Sequence, residues 1–451
     1  MKIFGLKIER DKGDQYEKYM QEIFRYLNYN IPVPIGDNPT NYITQGYAYN
    51  PLVYAIISLR ANAAKSIPWL VYRVKNQSKM RDIQAMTKKW GDPIAMHRLQ
   101  EVKSDNLEEV NDTPLNKLFE RPNGNDTFQD LVEKTFIYRD TTGNSYIYLI
   151  SNEVTKKVIS MLPLPADHVK IIGGDIMTPV KGYVVNTLMS RDTLDPKSVL
   201  HWKYPNPLFR PDGRWLYGMS PLRAAAAIIM QENMAIQGQT AAFLNEGLKG
   251  IITGTEQTNI EFTPEQAKVV RDNFRKQSGY KNKNNIAFNR APLSFVKIGE
   301  SPVDLGVMEA RAMNKEILCN IFRIHPSLLS SSASTLNNLT EARKALMTMS
   351  VLPDIESLKS HLNERVAQSF GPEWYVDYDQ MAIPELQEDS ETLARTLQSM
   401  DWVTINEKRS ATAYDRYENQ AADKLYQPFG LTEMGEDIDT GFDEIDKNLN
   451  R

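Results

Sequence analysis

The sequence contains almost no cysteine and no long apolar run. Cys319 is the one cysteine among 451 residues, so the chain cannot form an internal disulfide, and it suits assembly in a reducing cytoplasm. No window approaches the ~18 consecutive apolar residues that a membrane-spanning helix needs. The first residues, MKIFGLKIERDKGDQ, lack the apolar stretch of a signal peptide. These absences argue against a disulfide-rich secreted protein and against a membrane protein.

Recognisable catalytic motifs are absent as well. No glycine-rich loop ends in Gly-Lys-Ser/Thr, so the sequence predicts no phosphate-binding loop of the ATPase kind. The stretch GMSPL matches a nucleophile elbow at two positions only, and Ser220 is better explained as a helix N-cap. The five histidines are scattered, and no two have metal-ligand spacing. We therefore expect no metal site, no cofactor and no enzymatic activity.

The chain has little net charge. Its formal value of −4 means that the protein as a whole does not attract nucleic acid electrostatically. With 41% hydrophobic and 24% charged residues, the chain can bury real cores, and its length suffices for two to four compact units. Residues 431–451 carry seven acids against two bases, which predicts a flexible acidic tail.

The first half of the chain predicts an α+β region behind a polar arm. The arm ends in the loop-like stretch NPTNYITQGYAYNP. A helix follows, with Asn50 as its cap and Pro51 at its first position, and the strand PWLVYRV comes next. Residues 76–112 are charged and aperiodic, so we expect a mobile insertion there. Further helices and short strands follow, including SYIYLI, KKVISMLPLPADHVKII, KGYVVN and SVLHWKYP.

Two long helices, expected at residues 220–246 and 303–323, flank a small α/β insert. The second helix carries apolar side chains on more than one face: Val307, Met308, Ala312, Ile317, Leu318 and Phe322. A stalk of this kind cannot cover its apolar surface alone, which favours a closed symmetric ring of copies. The alternative is an ordinary α+β domain with an internal helical pair.

An uncharged segment, residues 326–338, joins the second long helix to a third one. The third helix, expected at 339–370, has apolar residues at 3.6-residue spacing, and Pro353 predicts a kink inside it. The strand EWYVDYD and two short helices complete the chain before the tail. The second short helix opens with a capping box formed by Thr404 and Glu407.

Several motifs occur along the chain in a fixed order. They are NPLVYAIISLRANAAKSIPWLVYR, LFERPN, GNSYIYL, WLYGMSPLRAAAAI, CNIFRIHPSLLSSSASTLNNLTEARKALMTMSVLPDIESLKSHLNERV and MDWVTINEKR. Together they resemble the portal proteins of tailed double-stranded DNA bacteriophages, in the class that accompanies the commonest phage capsid fold. Two positions depart from the family pattern, because Asp401 and Ser330 stand where glycine is usual.

The resemblance implies an α+β portal fold with a wing, a helical stem, an α/β clip, a kinked spine helix and a small helical crown, assembled as a ring. Set on this sequence, it implies an N-terminal arm at 1–49, the wing at 50–215 with a further strand at 372–383, stem helices at 216–247 and 301–324, the clip at 248–300, a tunnel loop at 325–338, the spine helix at 339–371, the crown at 384–430 and the acidic tail at 431–451.

The function implied by the resemblance is that of a ring of twelve copies at one capsid vertex of the virion, assembled in the host cell cytoplasm. Double-stranded DNA would enter through the ring during packaging and leave through it during ejection. The implied partners are the large terminase (the packaging ATPase), then the head–tail adaptor, and the major capsid protein. No membrane is involved.

By the same resemblance, the tunnel loop lines the DNA channel. DNA that must slide is hindered by strong phosphate contacts, because each Lys or Arg that pairs with a phosphate adds salt-dependent affinity. The loop has no such residue, and we expect it to form a low-friction constriction. The residues assigned to it are Ser327, Leu328, Leu329, Ser330, Ser331, Ser332, Ser334, Thr335, Asn337 and Asn338.

The clip is basic between residues 268 and 297, where Asp272 is the single acid. The residues assigned to partner docking are Lys268, Arg271, Arg275, Lys276, Lys281 and Lys283. They would meet an acidic face of the motor or adaptor, or DNA at the exit. The alternative is a solvated basic face.

Two rival functions remain at the level of sequence. One is a DNA-binding or DNA-processing enzyme in which residues 268–297 bind nucleic acid, although clustered carboxylates and a nucleotide cradle are missing from the sequence. The other is a plain structural capsid or adaptor subunit.

Replacing Ser331, Ser332 and Ser334 by lysine tests contact between the tunnel loop and DNA. Each lysine adds a cation that can pair with a phosphate, so packaging and ejection should both slow and become more salt-dependent. Single-particle packaging and ejection rates measure this. The matched control replaces the same serines by glutamine, which has a long but neutral side chain; equal rates for the lysine variant and the parent protein would contradict the assignment.

Overall fold

A computed structural model describes residues 2–3, 6–7, 38–87, 90, 93–174, 177–186, 191–208, 214–245, 250–254, 263–265, 268–269, 272, 293–297, 306–329, 336–387, 395, 397–400, 402–411, 414 and 416–425. The chain divides into two compact units. The first unit holds residues 1–64, 129–150 and 161–334, and the second holds residues 65–128, 151–160 and 335–451. The acidic tail, 431–451, and most of the N-terminal arm lie outside the described residues.

The helices of the first unit include both long helices expected from the sequence. Its α-helices are Pro39–Asn41, Pro51–Lys65, Phe128–Thr142, Pro221–Ala224, Ala226–Asn245 and Val307–Ile321, with a π-helix at Tyr42–Ala48 and 3-10 turns at Pro196–Ser198, Arg214–Leu216 and Pro326–Leu329. The end of the arm is therefore helical from residue 39 to residue 48, and the prediction of a loop there was wrong. The cap at Asn50 is confirmed, because its side-chain oxygen accepts hydrogen bonds from the backbone N–H groups of Leu52 and Val53, both at 3.0 Å.

The strands of the first unit form antiparallel sheets. One sheet has the order Val199–Lys203, Asn144–Ser151, Val158–Leu164, and another has the order Val169–Gly173, Val180–Asn186, Arg191–Leu194. Buried residues from these strands and from the turn after Leu164 form one hydrophobic core: Tyr146, Leu164, Ala166, Val169, Tyr183, Val185 and Val199. The predicted strands are confirmed, and the one at 191–194 was missed. Short strand pairs also join Lys2–Ile3 to Leu6–Lys7 and Gly250–Gly254 to Leu293–Lys297.

Two motifs 74 residues apart in sequence meet at a tight turn in this unit. Gly143 adopts φ +81°, and a Cβ there would lie 2.6 Å from the backbone of Met219 and Ser220, so only glycine fits. The next residue, Asn144, accepts a hydrogen bond from the backbone N–H of Gly218 at 2.6 Å. Ser220 caps the following helix through Leu222 and donates to the carbonyl of Thr141 at 2.6 Å. The interpretation of Ser220 as an N-cap is thereby confirmed.

A buried ion pair joins the helices Pro51–Lys65 and Phe128–Thr142. Arg60 lies 2.8 Å from Asp140, and both side chains are almost fully buried. The hydroxyl of Tyr204 donates to the same carboxylate at 2.7 Å. Beside it, the guanidinium of Arg139 lies 3.8 Å from the ring centres of both Trp202 and Tyr204. These contacts tie two helices to the end of the strand Val199–Lys203.

The second unit contains a three-stranded sheet and a long interrupted helix. The strands are Trp374–Tyr378, Trp69–Val74 and Leu107–Glu109, in that order. Its α-helices are Met80–Met86, Pro93–Asn106, Pro114–Glu120, Leu336–Ala345, Leu352–Leu362, Gln368–Phe370 and Ile405–Ala411, with π-helices at Leu346–Val351 and Asn363–Ala367 and 3-10 turns at Gln77–Lys79, Pro384–Leu386 and Gln420–Asp423. No described helix of the chain combines the length and apolar character needed to cross a bilayer.

The expectation of a mobile insertion at 76–112 was wrong. Two helices and an edge strand form there and pack with Tyr375 around a buried core of Ile83, Leu99 and Leu107. The signal was available in the sequence, because Met96, Leu99 and Val102 repeat every three residues behind Pro93. The many charged residues of the segment concealed it.

The spine helix begins at Leu336, three residues earlier than expected. A π-helical stretch, Leu346–Val351, directly precedes Pro353, which stands in the first turn of the next α-helical stretch. A π-turn widens the helix, and this accommodates a proline ring that would otherwise clash with the carbonyl one turn earlier. The helical hydrogen bonding therefore changes register at the expected residue, while the kink itself stays a prediction.

Asp377 is the most buried charge of the second unit. Its carboxylate lies 2.7 Å from the amine of Lys103 and 3.0 Å from that of Lys359, which also contacts Glu356 at 2.7 Å. Burial by itself would raise the pKa of Asp377, but the two lysines outweigh it and hold the pKa below its ordinary value. The segment 76–112 thus supplies one of the two cations that keep this carboxylate ionised.

Asp377→Asn should lower the free energy of unfolding by about 3 kcal/mol at pH 7, because it removes the buried carboxylate that Lys103 and Lys359 share and leaves Glu356 as the one carboxylate beside Lys359. The folded-state pKa of Asp377 is depressed, so its contribution is complete above the unfolded-state value of about 3.9 and is lost as the pH falls through the folded-state pKa. Urea denaturation between pH 7 and pH 3 should show the two proteins converging. Asp82→Asn, at an exposed ion pair with Lys79, is the control and should change little; equal losses for both variants would contradict the assignment.

Candidate functional site

The two stem helices, defined here as Ala226–Asn245 and Val307–Ile321, pack against each other in the first unit. A polar clamp joins them. Arg311 donates to Glu232 and to Gln239, each at 2.8 Å. Glu232 is 3% exposed, so this ion pair with Arg311 is largely shielded from water on the glutamate side. The clamp fixes the register of the two helices.

The arm joins the first stem helix through a second polar contact. Asn50 donates to the side-chain oxygen of Asn233 at 2.8 Å, and both residues are buried. Asn233 in turn donates to the carbonyl of Gln45 at 3.3 Å, and Gln237 donates to the hydroxyl of Tyr49 at 3.2 Å. The helical end of the arm is therefore part of the stem's support, which the sequence did not reveal.

The second stem helix has a buried side and exposed apolar residues on more than one face: Met313 and Ile317 share one face, while Met308 lies on the opposite face, with its sulfur 3.4 Å from Gln239 of the first stem helix. Leu318 and the C-cap residue Phe322 are buried within the chain. By contrast, Met308 is 66% exposed, Met313 63% and Ile317 40%. Apolar side chains on more than one face were predicted; of the predicted residues, Leu318 and Phe322 are buried, while Met308, Ala312 and Ile317 are exposed. Met313 was missed.

The single cysteine also lies on this helix and is buried. Burial raises the pKa of the Cys319 thiol to about 11, so the thiol stays protonated at neutral pH and is a poor nucleophile. Among the residues that the structure describes, no three His, Cys, Asp or Glu side chains are grouped as metal ligands.

The second stem helix ends in a Schellman motif. Arg323 adopts the left-handed conformation, φ +56°, and the N–H of Ile324 donates to the carbonyl of Cys319 at 2.9 Å. Glycine is usual at such a position, and a side chain there costs about 1 kcal/mol. The buried side chain of Ile324 supplies the hydrophobic contact that accompanies the motif. This stop directs the chain into the segment 325–338.

The predicted channel residues fall into three groups. Ser327, Leu328 and Leu329 lie half-buried in the 3-10 turn Pro326–Leu329, where the ring of His325 bonds the Ser327 hydroxyl at 2.7 Å. Asn337 and Asn338 lie in the spine helix rather than in a loop. The remaining residues lie outside the described part of the chain: Ser330, Ser331, Ser332, Ser334 and Thr335.

The predicted clip is closed by the antiparallel pair of strands Gly250–Gly254 and Leu293–Lys297, in which Gly250 is opposite Lys297. The ends of the insert therefore lie side by side. Lys268 is exposed, as is Asp272. The other residues assigned to docking lie outside the described part of the chain: Arg271, Arg275, Lys276, Lys281 and Lys283.

Arg311→Met should lower the free energy of unfolding by about 3 kcal/mol, because it leaves the buried carboxylate of Glu232 without a cation. Adding Glu232→Gln to that variant should recover most of the loss, since the charge is then gone. Urea denaturation of the two single variants and the double variant measures the coupling. Arg343→Met, at an exposed position of the spine helix, is the control; purely additive losses would contradict the clamp.

Other proteins match this chain in sequence over most of its length. In sequence, an uncharacterized protein of Rickettsia bellii (strain RML369-C) is 24% identical over 374 residues, which cover 81% of this chain and 86% of that protein. A second uncharacterized protein, from Rickettsia felis, is also 24% identical over 374 residues, covering 81% of this chain and 87% of that protein.

Among solved structures, a chain in the neck of an empty gene transfer agent particle, computed with C6 symmetry, superposes with a TM-score of 0.59 at 20% identity, covering 84% of this chain and 94% of that one. An HK97-family phage portal protein from Corynebacterium diphtheriae superposes with a TM-score of 0.52 at 12% identity, covering 79% and 99%. These likenesses show that the fold is the portal fold.

The sequence itself matches the family model described as phage portal protein, over residues 91–412. That range is well over half of the chain and includes both stem helices and most of the predicted wing, spine and crown. The chain belongs to the phage portal protein family.

Proposed function

We propose that this portal-family protein assembles into a closed ring, with twelve copies as the expected number, that forms the DNA channel at one vertex of a virus-like particle. The family is structural rather than enzymatic. Structures with the same fold come from necks of gene transfer agent particles computed with C6 and C12 symmetry. In this proposal the ring lies at a vertex of the particle, and it assembles in the host cytoplasm.

The observation that carries the proposal is the pair of large apolar side chains on the exposed face of the second stem helix, Met313 and Ile317, which lie one turn apart. Water covers both in the single chain. The buried Leu318 and the clamp at Arg311 fix the helix, so it cannot turn this face inward. In a closed ring every copy covers the same surface of its neighbour, and neither side chain stays exposed.

The segment that follows the second stem helix lines the channel in this proposal. The Schellman stop at Arg323 and the turn Pro326–Leu329 lead the chain directly from the stem into the uncharged residues. Serine and asparagine side chains exchange phosphate contacts for water readily, so DNA can slide past them. Since Asn337 and Asn338 are helical, the constriction is formed by residues 327–335 and the first turn of the spine helix.

The clip docks the large terminase during packaging and the head–tail adaptor afterwards. Its paired strands bring the two ends of the insert together, as expected of a module carried on two helices. Residues 268–297 include the six predicted docking cations and one acid, Asp272. An acidic face on the motor and the adaptor is the matching chemistry. The wing is the surface left for the major capsid protein.

Replacing Met313 and Ile317 together by aspartate should dissociate the ring while each copy stays folded. Every copy loses two apolar contacts worth about 1 kcal/mol or more each, and the new charges have to be buried against the neighbour. Sedimentation velocity should show a shift from ring to single copies, with unchanged circular dichroism. Val154→Asp, at a 90% exposed apolar residue of a turn, should leave the ring intact; rings of unaltered size for the double variant would contradict the proposal.

A further inference from the structure

A closed ring of more than two copies needs two different surfaces on each copy, because neighbours meet head to tail. The proposed ring uses Met313 and Ile317 of the second stem helix as one surface, and these side chains need a second surface on the next copy. The same helix face carries the exposed Glu309 and Glu316. The second surface should therefore present apolar area and no carboxylate.

The second stem helix and the arm lie on different sides of the first stem helix. Arg311 bonds Glu232 and Gln239, which are seven residues apart and share one face of the first stem helix. The arm is bonded by Asn233 and Gln237, which are one turn apart. At 3.6 residues per turn, the centres of these two faces are about 130° apart.

Met313 and Ile317 point away from the first stem helix. Around the axis of the second stem helix, they lie about 140° from Arg311, which makes the clamp. The order of this layer is therefore the apolar pair, the second stem helix, the first stem helix and the arm. Its two outer surfaces are different and lie on different sides, as a head-to-tail contact requires.

The arm presents an exposed aromatic ring on its side of this layer. Tyr49 is 52% exposed, and Gln237 of the first stem helix donates to its hydroxyl at 3.2 Å, which holds it in position. Tyrosine is enriched at protein interfaces, and a methionine sulfur packs favourably on an aromatic ring. Residues 38–59 contain no charged residue, so this stretch brings no carboxylate toward Glu309 and Glu316.

We infer that Tyr49 of one copy packs against Met313 and Ile317 of the next copy in the ring. The two side chains lie one helical turn apart, so one aromatic ring can contact both. This inference rests on the proposed ring and adds its second surface. The helical end of the arm thereby takes part in every contact between neighbours, besides supporting the stem of its own copy.

Cysteine cross-linking in the full-length protein tests this contact without changing it. Ala48→Cys and Asn320→Cys place thiols beside Tyr49 and Ile317 at exposed positions, while the native Cys319 is buried. A short bis-maleimide should link the copies of this variant into a ladder up to the ring number on a denaturing gel. Ala48→Cys combined with Met308→Cys, on the opposite helix face, is the matched control and should link at least about tenfold less.

Mass photometry of the same samples distinguishes failure of this inference from failure of the proposed ring. Rings without a ladder, or an equal ladder from the control, would overturn the inference and leave the ring standing. Single copies in place of rings, in the parent protein as well, would overturn both.

Substitution of Tyr49 gives an independent test. Tyr49→Asp should yield single copies, whereas Tyr49→Phe keeps the aromatic face and should form rings. An equimolar mixture of Tyr49→Asp with the Met313→Asp, Ile317→Asp variant should form complexes of two protomer masses, because one intact pair of surfaces remains. Sedimentation velocity measures these masses. Rings of unchanged size for Tyr49→Asp, or a mixture that stays as single copies, would contradict the inference.

Discussion

A helix that is apolar on two sides has to be covered on two sides, and this constraint organises the portal chain. Within one copy, the helix Val307–Ile321 is covered on the side of Leu318 and held there by Arg311 and Glu232. Met313 and Ile317, on another face, stay exposed in the single copy. If identical copies cover one another, the exposed residues of every copy are covered only when the chain of contacts closes into a ring. A ring with an open axis is the simplest arrangement that does so.

Buried polar groups give the chain the rigidity that such an assembly requires. Arg60 and Asp140 join two helices of the first unit, and Asp377 with its two lysines joins a helix, the spine and a strand of the second. Such pairs contribute little net stability compared with apolar packing, but breaking one is costly, so they specify a single arrangement. The tight turn at Gly143 acts in the same way, because two distant motifs meet there with no space for a side chain.

Local signals in the sequence predicted much of this fold. The caps at Asn50, Ser220 and Thr404 are side-chain contacts within three residues, and the structure contains all three. The strand at Trp374 and the change of helical register at Pro353 likewise follow from short-range patterns.

Other features depend on distant partners. The segment 76–112 looked unstructured because its charged Lys103 is matched by Asp377, which lies far along the chain. Arg323 adopts the left-handed conformation at the end of the second stem helix, and a glycine at this position would have indicated the helix end in the sequence. Of the candidate site, the uncharged segment and the two-sided stem were predictable from composition, while the contribution of Asn50 and Gln45 to the stem was not.

The mass of the purified full-length protein in dilute solution tests the central claim most directly. Mass photometry under assembly conditions should show one narrow population at about twelve protomer masses, with images along the axis showing a central opening. A single population at one or two protomer masses under every condition would show that the exposed side of the second stem helix needs no neighbour. The account of the chain as one segment of a ring would then be wrong.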